Sequence, residues 1–228
     1  MKDNDICNLK KLRNKINECS IIFFDLDGTL IDTEPLYFRF WKEACLFYGF
    51  VLKDEDALKF RSWEKESASE YLTKISNGKL DYSIIRKKRI ELMNKYLLTH
   101  PIKLKSGAID CLNYLYQKEK KIYIVTANEV NKAKNIIDSL GFLHLIEGII
   151  SAKDVKRGKP FPYVYLKACE MVNKKPNEVV VFEDSPNGLM SSNAAGCFTV
   201  MVEDLSPYQE DMDYVDAVLT SLDELIQN

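Results

Sequence analysis

The sequence predicts an α/β protein with a doubly wound, mostly parallel sheet and an inserted helical domain. Short, unbroken apolar runs recur along the chain and alternate with helical patterns over residues 103–228. Such runs are typical of strands that are buried on both faces of a parallel sheet. Residues 34–100 show helical periodicity alone, and they interrupt the alternation soon after its first strand.

The predicted elements follow one another in a regular order. Strands are predicted at 20–25, 121–126, 146–151, 178–183 and 197–202. Helices are predicted at 107–117, 130–140, 162–172 and 187–195, and the inserted block adds 36–48, 67–75 and 82–98. We therefore expect a core domain of residues 19–33 plus 101–228 and a helical cap of residues 34–100. Residues 1–18 are predicted to be a charged N-terminal extension with one short helix.

Length and composition exclude several classes of protein. The chain has 228 residues, enough for one core domain with a modest insertion. Its 46% hydrophobic and 29% charged residues are typical of globular proteins and unlike disordered or fibrous ones. Lys+Arg 32 against Asp+Glu 34 gives a net charge of −2, so no basic excess favours nucleic acid. The apolar runs are too short to span a bilayer, so we expect no membrane partner.

The N-terminus and the cysteines predict a cellular location. Residues 1–18 lack the apolar stretch that a signal peptide requires. The six cysteines are scattered without paired spacing, which indicates reduced thiols. We therefore expect a cytoplasmic protein. Nothing in the sequence decides its oligomeric state, and monomer and dimer both stay open.

Two carboxylates, Asp25 and Asp27, follow the first predicted strand. Ligands of open α/β sheets bind beyond the carboxyl ends of the strands. Two acids placed there repel each other unless a cation or a proton relieves the repulsion. One of them can then act as a nucleophile and metal ligand while its neighbour acts as acid or base. A solvated acidic turn is the alternative interpretation of this pair taken alone.

A phosphate-binding turn is predicted after the second strand. Thr126 ends that strand, and Ala127 and Asn128 lie between it and a helix. A hydroxyl and backbone amides at a helix N-terminus can bind a phosphate group. Taken alone, the threonine is as well explained as a helix cap.

Lys159 and the pair Glu183-Asp184 complete the predicted site. The lysine lies in a loop that enters a helix, where it can neutralise phosphate as a point charge. The acidic pair ends the fourth strand and offers the oxygen ligands that Mg²⁺ prefers. An exposed lysine and an acidic helix cap explain each feature alone, whereas the whole set predicts a phosphate and metal site.

In this order the residues resemble the haloacid dehalogenase-like (HAD) hydrolase superfamily, which consists mostly of phosphatases and phosphomutases. The segment DLDGTLIDTEP at 25–35 is similar to its first motif, Thr126 to its second, Lys159 to its third, and Glu183-Asp184 to its fourth. The inserted block resembles the α-helical cap of the branch that contains β-phosphoglucomutase and phosphoglycolate phosphatase. The resemblance covers nearly the whole chain after residue 18 and implies a Rossmann-like core.

The resemblance implies a role for each matching residue. Asp25 would be the nucleophile that forms an aspartyl-phosphate. Asp27 would be the general acid/base and would also give its backbone carbonyl to Mg²⁺. The phosphoryl oxygens would be bound by Thr126, Ala127, Asn128 and Lys159. The metal would be bound by Asp184, with Glu183 in support. The implied activity is a Mg²⁺-dependent phosphatase acting on a small phosphorylated metabolite, such as a sugar phosphate.

Two departures in the cap bear on the substrate. Phosphomutase-like members often carry a His where this chain has Tyr37. The cap loop in which they place a substrate-binding Arg offers Arg61 here, but it also carries Trp63, which the family pattern does not predict. Tyr37 and Arg61 are therefore the predicted substrate contacts of the cap. The departures favour a phosphatase over a sugar phosphomutase of the β-phosphoglucomutase type, which stays the alternative.

The sequence argues against three further alternatives. A response-regulator receiver also places Asp, Thr and Lys around Mg²⁺, but its acidic pair precedes the phosphoacceptor and its chain is much shorter. A catalytically idle binding protein of the same fold is expected to lack Asp25, Asp27 or Lys159, and all three are present. The basic cluster Arg86–Arg89 is interpreted as a solvated helix face and not as a contact to nucleic acid.

Overall fold

The fold was determined from a computed structural model that describes residues 3–60, 65–205 and 212–227. The chain forms two compact units, one of Met1–Ile31 with Leu104–Asn228 and the other of Asp32–Lys103. Every strand in the described ranges belongs to the first unit, and the second unit is helical. The predicted α/β class with a parallel sheet is confirmed.

Six strands form the sheet of the first unit. They are β1 (Ile21–Phe24), β2 (Lys121–Thr126), β3 (Gly148–Ser151), β4 (Val179–Glu183), β5 (Phe198–Val202) and β6 (Ala217–Leu219). All neighbouring pairs are parallel, in the order β3-β2-β1-β4-β5-β6. The strand order reverses beside β1, which lies between β2 and β4. Every residue of β1 and β4 is buried, which explains their unbroken apolar runs.

Ten α-helices lie in the described residues. They are α1 (Asp3–Glu18), α2 (Glu34–Phe47), α3 (Asp54–Lys59), α4 (Lys65–Ile75), α5 (Tyr82–Leu97), α6 (Ala108–Gln117), α7 (Val130–Ser139), α8 (Tyr163–Met171), α9 (Pro186–Ala195) and α10 (Asp223–Ile226). Of the α-helices and strands, three were not predicted, namely α3, α10 and β6. Each has six residues or fewer, which is too short for hydrophobic periodicity to show.

The N-terminal extension forms helix α1, which packs beside the edge strand β6. Leu12 and Ile16 are buried on this side of the helix. The ammonium of Lys11 lies 3.0 Å from the carboxylate of Asp216, which adds an exposed ion pair to the contact. The helix therefore belongs to the packed first unit.

The second unit has a hydrophobic core of its own. Helix α2 packs along α5, and the Trp41 ring stacks on Phe60 with ring centroids 5.0 Å apart. Leu72 of α4 and Ile85 of α5 are buried in the same cluster. Across residues 3–60, 65–205 and 212–227, no helix combines the length and the apolar character that crossing a membrane requires.

Candidate active site

The predicted site residues of the core lie at the carboxyl ends of three adjacent strands. Asp25 follows β1, Thr126 ends β2 and Glu183 ends β4. The backbone N–H of Asp25 donates to the carbonyl of Phe182 at 2.9 Å, which fixes Asp25 beside the end of β4. Because β1 lies between β2 and β4, the sheet brings together side chains that are far apart in the sequence.

Three carboxylates, those of Asp25, Glu183 and Asp184, form the centre of the site. An oxygen of each lies within 4.8 Å of the others, and all three residues are buried. Burial raises the pKa of Asp25 well above its ordinary value; Lys159 opposes this, while the charges of Glu183 and Asp27 add to it. Placing three acids so close together away from water is costly unless positive charge is supplied.

Lys159 supplies one positive charge to this cluster. Its Nζ donates to Oδ1 of Asp25 at 2.6 Å, to the carboxylate of Glu183, and to the carbonyl of Val125 at 3.2 Å. Although burial acts to lower it, the carboxylates of Asp25 and Glu183 raise the pKa of Lys159 above its ordinary value. The lysine is therefore cationic at neutral pH, and it ties the loop before α8 to the ends of β1, β2 and β4.

The net negative charge that remains in the carboxylate cluster suits a divalent cation. With all groups ionised, the three carboxylates of Asp25, Glu183 and Asp184 against the single ammonium of Lys159 leave two negative charges in the cluster. Mg²⁺ prefers oxygen ligands and is commonly bound by one or two carboxylates together with water and substrate oxygens. The donor set and the charge of the site therefore both suit Mg²⁺.

Two glycines make room for the acids. Gly28 has a φ of +83°, and a Cβ on it would lie 2.2 Å from Oδ2 of Asp184. A Cβ on Gly188 would lie 2.1 Å from the carboxylate of Glu183. Any side chain at either position would displace an acid of the site, so both positions require glycine.

The carboxylate of Asp27 is held by a different partner. The side-chain amide of Asn128 donates to Oδ2 of Asp27 at 2.5 Å. The backbone N–H of Asn128 donates to Oγ1 of Thr126 at 3.1 Å, so the chain turns tightly after β2, with Ala127 exposed in the turn. The structure thus places the predicted phosphate-binding turn beside the predicted acid/base.

Several side-chain partners of the site residues were not predicted. Oγ1 of Thr29 donates to Asp184 at 3.1 Å, and Oγ of Ser151 donates to the carbonyl of Asn128 at 2.7 Å. The positions of both residues in the sequence could have indicated these contacts, since Thr29 lies in the first motif and Ser151 ends the predicted third strand. The hydroxyl of Tyr165 donates to Glu183 at 2.6 Å. Tyr165 lies on a buried helix face, where a tyrosine is ordinarily a core residue, so no sequence signal marked it.

The two predicted substrate contacts of the cap are Tyr37 and Arg61. Tyr37 lies on α2 in the second unit and packs against the hydrophobic core of that unit. The guanidinium of Arg89 lies 4.8 Å from the centroid of its ring. Arg61 lies outside the described residues. The roles of Tyr37 and Arg61 in substrate binding stay predictions.

Comparison with known proteins decides the family. Residues 22–202 match the model of the haloacid dehalogenase-like hydrolases. The chain belongs to that family. Hexitol phosphatase A of Escherichia coli (strain K12) is 32% identical over 209 residues, which cover 91% of this chain and 93% of that protein. Validoxylamine A 7'-phosphate phosphatase of Streptomyces hygroscopicus subsp. limoneus is 29% identical over 181 residues, which cover 79% of this chain and 84% of that protein.

A solved structure agrees with the fold of this HAD hydrolase. The β-phosphoglucomutase of Clostridium difficile matches it with a TM-score of 0.74 over 91% of this chain and 93% of that chain. The two sequences are 20% identical, so this similarity shows the fold alone. The family match and the phosphatase relatives confirm the predicted superfamily and the predicted enzyme class, a phosphoric monoester hydrolase.

Proposed function

We propose that this HAD hydrolase removes the phosphate from a small phosphorylated metabolite, such as a sugar phosphate, through an aspartyl-phosphate on Asp25. One observation carries the proposal. The carboxylates of Asp25, Glu183 and Asp184 converge within 4.8 Å, and Nζ of Lys159 lies 2.6 Å from Asp25. The hexitol phosphatase and the validoxylamine A 7'-phosphate phosphatase among the relatives support the substrate class.

Asp25 is the proposed nucleophile. Its Oδ1 accepts a hydrogen bond from Lys159, which leaves the second carboxylate oxygen to attack the substrate phosphorus. As the new O–P bond forms, the bond from phosphorus to the leaving oxygen breaks, and the electron pair goes to that oxygen. Lys159 and Thr126 hold the phosphoryl oxygens. Since Oγ1 of Thr126 accepts a hydrogen bond from Asn128, its own hydroxyl proton can be donated to the phosphate.

Asp27 is the proposed acid and base. In its protonated form it gives a proton to the leaving alkoxide of the substrate. The resulting carboxylate then takes a proton from the water that attacks the phosphorus of the aspartyl-phosphate, which releases phosphate and restores Asp25. The side-chain amide of Asn128, 2.5 Å from Oδ2 of Asp27, holds the carboxylate of Asp27 in place beside the phosphate-binding turn.

Mg²⁺ is the proposed cofactor. The residues that would hold it are Asp25, Asp184 and the backbone carbonyl of Asp27, with Glu183 in support. When bound, Mg²⁺ neutralises negative charge that otherwise opposes the approach of a phosphate dianion to a carboxylate. Glu183 already accepts hydrogen bonds from Lys159 and Tyr165, so we propose that its main contribution is to position Lys159.

Five described cysteines are buried free thiols, which supports a cytoplasmic location.

A phosphate-release screen tests this function. The purified protein is expected to release inorganic phosphate from sugar and polyol phosphates with Mg²⁺, and EDTA should lower the rate by at least about a hundredfold. Added Mg²⁺ should restore it. Equal turnover in EDTA would contradict the metal requirement. Conversion of a sugar 1-phosphate to its 6-phosphate without release of phosphate would identify a phosphomutase, the reaction in which a second sugar hydroxyl replaces water.

A further inference from the structure

The second unit contains a cavity that the proposed chemistry does not use. Its volume is about 310 Å³, which lies at the lower end of the range for ligand pockets. It lies at the start of α4 and along the N-terminal part of α5. The described residues that line it are Lys65, Tyr82, Ser83, Arg86, Lys87 and Ile90.

The lining of this cavity is positively charged and largely uncompensated. Lys65, Arg86 and Lys87 contribute three cations. None of the three forms an ion pair with a carboxylate among residues 3–60, 65–205 and 212–227. Burial raises the pKa of Tyr82 and the charge of Glu66 adds to this, while the charge of Arg86 and its hydrogen bond to Tyr82 oppose it. Three cations at the cavity against the nearby charge of Glu66 leave a net positive charge among the described residues.

The basic cluster Arg86–Arg89 divides into two pairs with different surroundings. Lys88 forms an ion pair with Glu91 at 2.9 Å and lies 4.0 Å from the ring centroid of Phe47. Arg89 is buried, with its guanidinium 5.4 Å from the ring centroid of Trp41. Arg86 and Lys87 instead line the cavity. The interpretation of this cluster as one solvated helix face is therefore incomplete.

The remaining polar groups of the cavity are hydrogen-bond donors. Tyr82 is buried, with its ring 5.5 Å from Trp41, and it brings a phenolic hydroxyl to the lining. Ser83 brings a second hydroxyl in the first turn of α5, a 16-residue helix whose N-terminal end carries partial positive charge. A guanidinium, two ammonium groups and two hydroxyls around one cavity form a donor set suited to the oxygens of a phosphate.

We propose that this cavity binds a phosphoryl group. Three cations around one cavity match a phosphate dianion better than a singly charged carboxylate. The proposed ligand is a separate phosphorylated molecule that acts as an effector. Binding at this cavity does not depend on the proposed phosphatase reaction.

Direct binding of inorganic phosphate tests the cavity. Phosphate is titrated into the ¹⁵N-labelled full chain at constant ionic strength, and the backbone amide signals of Ser83 and Lys87 are followed by NMR. We expect saturable shifts there, with a Kd at least about tenfold weaker in the Arg86→Gln/Lys87→Gln variant. Lys88→Gln is the matched control, because Lys88 is already paired with Glu91, and it should bind as the parent does. Unsaturable shifts, or equal affinity in the parent and the double variant, would overturn the proposal.

Kinetics test whether binding at the cavity affects turnover. The double variant should keep the KM of the parent for a sugar monophosphate and its competitive inhibition by the product phosphate, and the part of the phosphate effect on the parent's activity that is not competitive with substrate should disappear. A non-competitive effect that persists unchanged in the double variant would contradict an effector role of the cavity. Arg86 and Lys87 are exposed, and an unchanged melting temperature would show that the variant is folded.

Discussion

The Asp25→Asn variant is expected to lose at least about 10⁴-fold in kcat. Asparagine has nearly the same shape as aspartate, but its amide oxygen is a poor nucleophile and carries no negative charge. Because Asp25 also belongs to the three-carboxylate cluster, the variant should lose affinity for Mg²⁺. Phosphate release under saturating Mg²⁺ and substrate separates the chemical defect from weaker metal binding. Asp110→Asn, at an exposed aspartate of α6, is the matched control and should keep full activity.

The same substitution is expected to leave the fold intact or to stabilise it without metal. Burial raises the pKa of Asp25 well above its ordinary value. The folded state therefore binds this proton more tightly than the unfolded chain, and its contribution to stability falls as pH rises above the unfolded value of about 3.9. Asparagine cannot ionise, so the variant in EDTA at pH 7 should melt at or above the melting temperature of the parent. An Asp25→Asn protein that is folded and turns over at a near-normal rate would contradict the role of Asp25.

The Lys159→Met variant is expected to lose both activity and stability. Methionine has a similar length but no charge, so the substitution leaves the carboxylates of Asp25 and Glu183 without their cation. Removing one partner of a buried ion pair commonly costs about 3 kcal/mol or more of unfolding free energy. We expect the unfolding free energy of the variant in EDTA to fall by that amount. We also expect kcat to fall at least about a thousandfold, because the phosphoryl oxygens lose a positive charge as well.

Urea denaturation and phosphate release measure these two effects of Lys159→Met. The control is Lys153→Met, since Lys153 lies exposed after β3 and pairs with the exposed Glu129. Such a surface ion pair contributes little to stability, so the unfolding free energy of the control should differ from that of the parent by less than about 1 kcal/mol. Added Mg²⁺ should recover part of the stability of Lys159→Met by supplying positive charge to the same acids. A variant as stable as the parent in EDTA would contradict the proposed charge balance.

The sequence predicts the sheet well because its central strands are buried on both faces. Ile21–Phe24 and Val179–Glu183 are unbroken apolar runs for this reason, whereas the short strand Ala217–Leu219 is defined mainly by its pairing with β5. The acids of the site were visible because they follow such strands directly. The role of Tyr165 could not be predicted from the sequence, since its contact with Glu183 forms only when α8 packs on the sheet.

The basic cluster of α5 shows a second reason why sequence is insufficient. Four consecutive cations look equivalent in the sequence, and helix periodicity alone does not say which of them are neutralised. The contacts of Lys88 with Glu91 and of Arg89 with aromatic rings are set by the packing of the second unit. The distinction between these two cations and those that line the cavity therefore depends on tertiary structure.

Trapping the phosphorylated enzyme tests the central claim, that Asp25 is the residue that accepts the phosphoryl group. The protein is quenched in acid during turnover and digested, and the peptide that contains Asp25 is analysed by mass spectrometry. We predict the added mass of one phosphoryl group, located at Asp25, and no such peptide from Asp25→Asn. A phosphoryl group located at Asp27 or any other residue, or one that persists in the Asp25→Asn protein, would contradict the claim.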